Sequence, residues 1–330
     1  MSMKPESILS LCMKFMESRI LLTATELDVF SLLIDPMSAQ EIADITKATL
    51  RGITILLDAL VSMGLLKKNQ MKYYCSPEVV SLLSKDSSTS ILPMIMHAVG
   101  LWKRWSNLTE IVRHGTKKTK PSVPDRSESE QEAFIGAMHA IASRIAPAIV
   151  AVINPGAAKQ LLDIGGATGS YTQAFLEVSP EMRATIFDLP SVIKIARKRL
   201  AATAFHDRIT YIAGDFYSDE LPTGYDLVLV SAIIHQNSHE QNIELYRKIY
   251  SSLLPGGRLV IRDHVMNADH TQPTTGAIFA VNMLVGTLGG STYTFEEIYE
   301  GLNAAGFCNI RLIQPDKQMD GLVEALKFEL

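Results

Sequence analysis

The feature that most constrains the fold of this chain is an apolar strand pattern that runs directly into a glycine-rich turn, LLDIGGATGS at residues 161–170. Glycines in such a turn adopt positive φ without strain and let the backbone approach a ligand closely. From residue 160 onward, short apolar runs alternate with helical stretches, which is typical of a parallel sheet covered by helices. We therefore predict an α/β fold whose ligand crevice lies at the carboxyl ends of the strands.

Several segments after residue 160 have the composition of strands. Five of them are expected to follow one another in a parallel sheet: LLDIG, ATIFD, ITYIAGD, YDLVLVSAII and RLVIRD. A helix near Phe295 to Ala305 and two C-terminal strand candidates, CNIRLIQ and LVEALKFEL, come after them. Because the first five strands end in polar residues, the sequence predicts a polar site along one edge of the sheet.

The glycine-rich turn differs from the fingerprint of dinucleotide-binding proteins. Ala167 and Ser170 stand where the second and third glycines of G-x-G-x-x-G would be. Asp163 precedes the turn, and a carboxylate there would repel a pyrophosphate but balance the ammonium of a cofactor that carries an amino acid. The turn therefore favours such a cofactor over a nicotinamide dinucleotide.

Two further aspartates end the next strands. Asp188 lies 25 positions after Asp163, where a carboxylate accepts hydrogen bonds from both ribose hydroxyls. Gly214, Asp215 and Phe216 end the third strand and offer a carboxylate and a ring to the amino group and the face of an adenine. Helix capping explains each aspartate alone but does not explain the set.

The N-terminal part has the pattern of a winged-helix unit. Apolar residues recur at helical spacing from Ile8 to Leu33, and Ser38 and Glu41 form a capping-box pattern. A helix from Leu50 to Met63 then precedes a hairpin at 65–74. That helix carries a single basic residue, Arg51, among many apolar ones, which favours packing or dimerisation over DNA binding.

The composition limits the remaining possibilities. A net charge of −4 gives no general attraction to nucleic acid or anionic lipid, so a small molecule is the expected partner. Cys12, Cys75 and Cys308 form no CxxC pair, and the histidines lack metal-ligand spacing. Because no apolar run reaches about 18 residues and no signal-peptide core is visible, we expect a cytoplasmic protein without a bound metal.

In this order the motifs resemble the small-molecule O-methyltransferases of the caffeic acid and hydroxyindole type, with bacterial antibiotic-biosynthesis relatives. The resemblance covers nearly the whole chain and rests on the winged-helix unit and on six segments: Ala137-Met138, DIGGATG at 163–169, FDLP at 187–190, GDFY at 214–217, LLPGGRLVI at 253–261 and NMLV at 282–285. It implies a class I methyltransferase with a Rossmann-like sheet, S-adenosylmethionine (SAM) as cofactor, a homodimer and no metal requirement.

The resemblance also implies a domain plan and a set of site residues. A winged-helix-like dimerisation domain is expected at 1–95, a connecting segment that contributes to the acceptor pocket at 96–155, and the SAM-binding domain at 156–330. Within the connecting segment, 114–132 is expected to be a polar connector or lid, and a helix is expected from Ala133 to Ile153. SAM is expected to contact Asp163, Gly165, Gly166, Gly169, Asp188, Leu189, Gly214, Asp215, Phe216 and Ser231. The methyl acceptor is expected near Met138, Asn282 and Met283, although methionines at helical spacing fit plain core packing equally well.

In that family the fourth strand leads to a catalytic histidine, and His235 stands at this position. Methyl transfer from a sulfonium is an in-line displacement that requires alignment of the acceptor and removal of its proton. An imidazole with a pKa near 6.5 accepts a proton at neutral pH. Asp263, at the end of the fifth strand, matches the acid that orients the histidine.

Two positions depart from the family pattern. Gln236 and Asn237 follow His235 in place of Asp-Trp, and Thr292 replaces the second acidic partner within GGSTYT at 289–294. The sequence favours O-methylation of a small aromatic or polyketide-like hydroxyl with His235 as base. It leaves open N- or C-methylation, transfer by proximity alone, and a non-catalytic SAM-binding regulator.

Overall fold

The computed structural model describes residues 4–87, 89–116 and 128–328, with only the backbone at 128–134 and 137. Contacts divide the chain into two compact units, Met1–Lys103 with Ser127–Ala140 and Arg104–Arg126 with Ile141–Leu330. This division assigns the middle of the chain partly to each unit. The three-domain plan with boundaries after residues 95 and 155 stays a prediction.

The first part of the chain consists of short helices and a small sheet. Its elements are α1 (Pro5–Met13), α2 (Phe15–Glu26), α3 (Val29–Leu32), β1 (Met37–Ser38), α4 (Ala39–Thr46), α5 (Leu50–Ser62), β2 (Lys67–Asn69), β3 (Lys72–Tyr74), α6 (Pro77–Leu83) and α7 (Leu92–Trp105).

Local sequence signals account for the winged-helix pattern. The predicted capping box is present at the start of α4, where Ser38 N donates to the Glu41 carboxylate at 2.7 Å and Glu41 N donates to Ser38 Oγ at 3.3 Å. Gly64 has a left-handed φ of 76° just after α5, and β3 pairs antiparallel with both β2 and β1. Helix α5 buries Ile53 and Leu57 in the core of this unit.

The second part of the chain alternates strands and helices. Its elements are α8 (Leu108–His114), α9 (Glu128–Ile153), β4 (Gln160–Ile164), α10 (Ser170–Val178), β5 (Arg183–Asp188), α11 (Pro190–Leu200), β6 (Ile209–Ala213), β7 (Tyr225–Ser231), α12 (His239–Ser252), β8 (Leu253–Asp263), β9 (Val265–Met266), α13 (Thr274–Gly286), β10 (Tyr293–Thr294), α14 (Phe295–Ala304), β11 (Cys308–Gln314) and β12 (Gly321–Leu326).

The main sheet has the strand order β11-β12-β8-β7-β4-β5-β6. The five strands from β8 to β6 are parallel, as predicted, and β12 and β11 join antiparallel at one edge. The chain order reverses direction at β4, because β5 and β6 lie on one side of it and β7 and β8 on the other. Open α/β sheets bind their ligands at such a switch point, beyond the carboxyl ends of the strands.

Each face of the sheet carries its own apolar core, because successive side chains of a strand point to opposite faces. Leu162 and Ile164 lie in the core that also contains side chains of α12 and α14. Leu161 lies in the other core, together with side chains of α10 and of the end of α9. The carboxyl ends of the strands between these two layers position the site described below.

Two element boundaries differ from the prediction. Helix α9 begins at Glu128, so residues 128–132 of the expected connector are helical, while 117–127 lie outside the described residues. Strand β7 ends at Ser231, because Ala232 has a left-handed φ of 57°. The apolar residues after it remain buried in the turn that follows, which is why the apolar run resembled a longer strand. Within the described parts of the chain, no helix is both long and apolar enough to cross a membrane.

Candidate functional site

The glycine-rich turn after β4 tolerates no side chain at its first residue. Gly165 has a φ of 65°, and a Cβ atom there would lie 2.5 Å from Cδ1 of Ile233. Gly169 has a φ of 74° and lies against Leu200 and Ile186. Both positions therefore require glycine for backbone conformation and for space.

Asp163 is buried beneath this turn. Its carboxylate accepts a hydrogen bond of 2.6 Å from the Thr172 hydroxyl of α10, and a Cβ at Gly166 would lie 2.9 Å from it. Burial raises the pKa of the Asp163 carboxyl to about 7, against the opposing effect of the Thr172 hydrogen bond and with a contribution from the charge of Asp188. This carboxyl is thus poised to gain negative charge when a cation approaches.

Asp188, at the end of β5, accepts hydrogen bonds from the backbone of the glycine-rich turn and of the residue that follows Asp188 itself. Its Oδ2 accepts from Ala167 N at 2.9 Å and its Oδ1 accepts from Leu189 N at 2.7 Å. Burial raises the pKa of this carboxyl to about 6, although both backbone hydrogen bonds lower it. Each carboxylate oxygen can accept a second hydrogen bond, so Asp188 retains acceptor capacity for hydroxyl groups of a ligand.

Gly214, Asp215 and Phe216 follow β6 and lie next to Asp188, because Gly214 N donates to Asp188 O at 3.0 Å. A Cβ at Gly214 would lie 2.5 Å from Cζ of Phe187, so this position also requires glycine. The Asp215 carboxylate accepts from Tyr217 N at 2.9 Å. The structure thus brings the three predicted strand-end groups to one edge of the sheet.

These residues fit a nucleoside that carries an amino acid. The glycine-rich turn, which lets a ligand approach the backbone closely, lies next to the buried carboxyl of Asp163. The carboxylate of Asp188 can still accept hydrogen bonds from a ligand. Because the Asp163 carboxyl next to the turn would repel a pyrophosphate but attract an ammonium, the set suits SAM better than a dinucleotide.

His235 lies in a short 3-10 turn, Ile234–Gln236, that follows β7. Its Nδ1 atom lies 2.8 Å from Oδ1 and 3.0 Å from Oδ2 of Asp263, and its backbone N donates to Oδ2 at 3.4 Å. Burial of Asp263 acts to raise the pKa of its carboxyl, but the charge and hydrogen bond of His235, the backbone N–H of His264 and the charge of Arg262 lower it below its ordinary value. Asp263 is therefore a carboxylate, so Nδ1 of His235 donates and Nε2 retains its lone pair.

The residues after His235 anchor its turn by a buried polar network. Asn237 is fully buried, its Oδ1 accepts from the Tyr217 hydroxyl at 2.5 Å, and its Nδ2 donates to Asn242 at 2.9 Å. The Tyr293 hydroxyl donates to the Asn237 carbonyl at 2.5 Å. The amide that replaces a family tryptophan at this position is thus a structural anchor.

Thr292 is buried in a segment that packs against the His235 turn. A Cβ at Gly290 would lie only 2.5 Å from the carbonyl oxygen of His235. Strand β10 begins at Tyr293, directly after Thr292, and pairs in parallel with β9. The position expected to carry a second acid thus holds a neutral hydroxyl, and Asp263 is the carboxylate that the described residues place on His235.

A second histidine–carboxylate pair was not predicted. His264 Nδ1 lies 2.6 Å from Oδ2 of Asp316, and the ring of Phe279 contacts both imidazoles, with centroid distances of 4.9 Å to His235 and 5.1 Å to His264. Asp316 lies 52 residues away in sequence, outside any recognisable motif. No local pattern signals this pair.

The residues predicted to contact the acceptor belong to two different compact units. Asn282 lies on α13, one turn after Phe279, and its Oδ1 accepts from Trp105 Nε1 at 3.0 Å. Met283 is buried on the same helix. Met138 is half-buried on α9 and belongs to the N-terminal unit, so its role at the acceptor stays a prediction.

Ser231, the last predicted cofactor residue, ends β7 and accepts a hydrogen bond of 3.2 Å from Nη1 of Arg262. The described side chains contain no group of three or more His, Cys, Asp or Glu residues that could hold a metal ion.

Two family models match the sequence. The model of the O-methyltransferase domain matches residues 105–308, and the model of the O-methyltransferase dimerisation domain matches residues 9–86.

Individual relatives and a solved structure resemble the chain over nearly its full length. It is 29% identical to the tetracenomycin polyketide synthesis 8-O-methyl transferase of Streptomyces glaucescens, over 93% of this chain and 92% of that protein. It is 28% identical to the acetylserotonin O-methyltransferase of Gallus gallus, over 97% and 96% of the two chains. The crystal structure of human N-acetylserotonin methyltransferase in complex with SAM superposes with a TM-score of 0.85 at 25% identity, covering 99% of both chains.

Proposed function

The chain belongs to the O-methyltransferase family, and from this premise we propose that it methylates a hydroxyl of a small aromatic or polyketide-like molecule with His235 as general base. The observation that carries the proposal is the pairing of His235 Nδ1 with the buried carboxylate of Asp263 at 2.8 Å. SAM, when bound, supplies a methyl group on a positively charged sulfur.

The chain's own residues account for proton removal. Asp263 accepts the Nδ1 proton, which leaves the lone pair of Nε2 to accept a proton from the hydroxyl of an acceptor. The imidazolium that results is stabilised by the charge of Asp263, which is fully buried and therefore weakly screened. The Asn237 network fixes the turn that carries His235, so the base is held in one orientation.

The relatives support the class of acceptor. One is named for an 8-O-methylation in polyketide synthesis and the other for O-methylation of acetylserotonin, so both names denote methyl transfer to an oxygen atom. A phenolic hydroxyl is more acidic than an aliphatic one, so a histidine base can assist removal of its proton while the methyl group is transferred. A phenolic acceptor therefore suits a site in which His235 is the base and Thr292 adds no second carboxylate.

The test is methyl transfer from labelled SAM to a panel of phenols, naphthols and hydroxyindoles. His235→Ala is expected to lower kcat for the best acceptor by about 10²-fold or more. His206→Ala, which changes an exposed histidine in the turn before β6, is the matched control and should keep full activity. Full activity of the His235→Ala enzyme would instead support transfer by proximity alone. Transfer of the label to the nitrogen of an amine or to a carbon atom, and not to a hydroxyl, would indicate N- or C-methylation.

A non-catalytic regulator is the alternative from another class. Helix α5 buries Ile53, Leu57 and Leu60, and its one basic residue is Arg51. A DNA-binding helix presents several basic and polar side chains to phosphates and bases. We therefore expect no salt-dependent gel shift with duplex DNA at physiological ionic strength.

We also propose that the protein is a homodimer joined through its N-terminal domain. Helix α1 has no buried residue, and Ile8, Leu9 and Leu11 are 54–68% exposed. Contiguous exposed apolar side chains on one helix mark a surface that a partner covers. The match of residues 9–86 to a dimerisation domain supports a second copy of this chain as that partner.

A further inference from the structure

We propose that Arg262 holds the α-carboxylate of the cofactor's amino-acid part. The inference rests on the proposed cofactor site at the ends of β4 and β7, and it adds a cationic contact that the glycine-rich turn and the three aspartates cannot provide. Neither the motifs nor the family positions used above include this residue.

Arg262 is a buried cation that forms no direct ion pair within the described part of the chain, although its charge acts on the neighbouring Asp263. It is 5% exposed, its Nη1 donates to Ser231 Oγ at 3.2 Å, and its Cζ lies 5.5 Å from the ring centroid of Tyr171. Its Nε is buried and has no hydrogen-bond partner in the described part of the chain. No carboxylate there forms an ion pair with it, and an uncompensated buried charge is strongly unfavourable.

Arg258, a half-buried residue on the same face of β8, shows how this chain satisfies a guanidinium whose role is structural. Its Nη1 donates to Glu324 Oε2 at 2.9 Å, and it also donates to the carbonyl oxygens of Ile153 and Asn154. The neighbour in sequence, Asp263, does not serve Arg262 in this way, because it points to the opposite face and pairs with His235. The missing partner of Arg262 therefore comes from outside these residues.

The position of Arg262 matches the charge pattern of an amino acid. Asp163, Ser231 and Arg262 project from the sheet face that α10 covers, since Leu161, Leu229 and Val260 two residues earlier on each strand lie in that core. Strand β7 separates β4 from β8, and Arg262 lies two residues beyond the position level with Asp163, so the two backbones are about 12 Å apart. An ammonium facing Asp163 and a carboxylate facing Arg262 are the two charges of one α-amino acid group.

Calorimetry with two probes tests the assignment without turnover. One probe is S-adenosylhomocysteine, and the other is 5′-deoxy-5′-(3-aminopropylthio)adenosine, which keeps the thioether and the ammonium but lacks the carboxylate. The wild-type protein is expected to bind the first about 10- to 100-fold more tightly, the range for a charge-assisted contact. Arg262→Met should remove this preference by weakening only S-adenosylhomocysteine, and Arg262→Lys should retain part of it.

Arg258→Met is the matched control. It removes an arginine from the same face of β8, and the charge of this arginine is already paired with Glu324. It should lower the unfolding midpoint and leave the preference between the two probes unchanged. Equal affinity of the wild-type protein for both probes, or equal weakening of both by Arg262→Met, would overturn the assignment. His235→Ala should bind S-adenosylhomocysteine normally, so failure of this inference is distinct from failure of the proposed base, which shows in turnover.

Discussion

Nδ1 of His235 and Oδ1 of Asp263 lie 2.8 Å apart although 28 residues separate them in the chain. The pair joins the turn after β7 to the end of β8, two neighbouring parallel strands. It fixes both the orientation of the imidazole and the nitrogen that carries the proton. Four further expectations follow from this and from other contacts in the structure.

Asp263→Asn should lower kcat by about 10²-fold or more, because an amide can donate to Nδ1 and thereby move the proton to Nε2, which then no longer acts as a base. Steady-state kinetics with saturating SAM measures this, and the affinity for S-adenosylhomocysteine should stay the same. Asp316→Asn makes the same change in the neighbouring His264 pair and should preserve most of kcat. Comparable losses of kcat in both variants would argue against a specific role of Asp263.

Cofactor binding should depend on pH through Asp163, whose pKa burial raises to about 7. Below that pH the carboxyl is protonated and neutral, and above it the carboxylate attracts the ammonium of the cofactor. The affinity for S-adenosylhomocysteine should therefore rise about 10-fold from pH 6 to pH 8. Titration calorimetry at several pH values measures the change.

The matched variants for this pH dependence are Asp163→Asn and Asp188→Asn. The first should bind weakly at every pH, with a flat profile. The second should weaken binding through the ribose and also shift the midpoint to lower pH, because the charge of Asp188 contributes to the raised pKa of Asp163. If the affinity of Asp163→Asn for S-adenosylhomocysteine changed with pH as it does in the wild-type protein, the pH dependence would belong to another group.

Gly165→Ala should destabilise the fold by about 2–4 kcal/mol, because it adds left-handed backbone strain to a clash with Ile233. Gly224→Ala is the control, since Gly224 also has positive φ but has no atom within 4 Å of an added Cβ. Gly224→Ala should lower the free energy of unfolding only by the backbone strain, about 1–2 kcal/mol. Urea unfolding compares the two variants, and equal losses would show that the close approach at Gly165 is unimportant.

Leu11→Glu should convert the proposed dimer into a monomer, because it places a charge on the exposed apolar surface of α1. Sedimentation velocity at micromolar protein concentration measures the association state. Met71→Glu alters a single exposed apolar side chain in the turn between β2 and β3 and should leave the dimer intact. A dimeric Leu11→Glu protein would place the interface elsewhere.

Local sequence patterns determined a large part of this protein. The apolar runs specified the five parallel strands and both C-terminal strands, and the capping box at Ser38 specified the start of α4. The order of the motifs specified the family and with it the cofactor, which the family models and the SAM-bound structure confirm. These features are predictable because backbone hydrogen bonding, side-chain alternation and glycine conformation act over a few neighbouring residues.

The tertiary structure alone decided how distant groups meet. The contact of Phe279 with two imidazoles, the pairing of His264 with Asp316 and the anchoring of Asn237 by Tyr293 join residues that lie between 15 and 56 positions apart. The unpaired state of Arg262 also became visible only once its neighbours were known. Charge, burial and hydrogen-bond satisfaction are properties of a three-dimensional environment, so no periodicity in the chain encodes them.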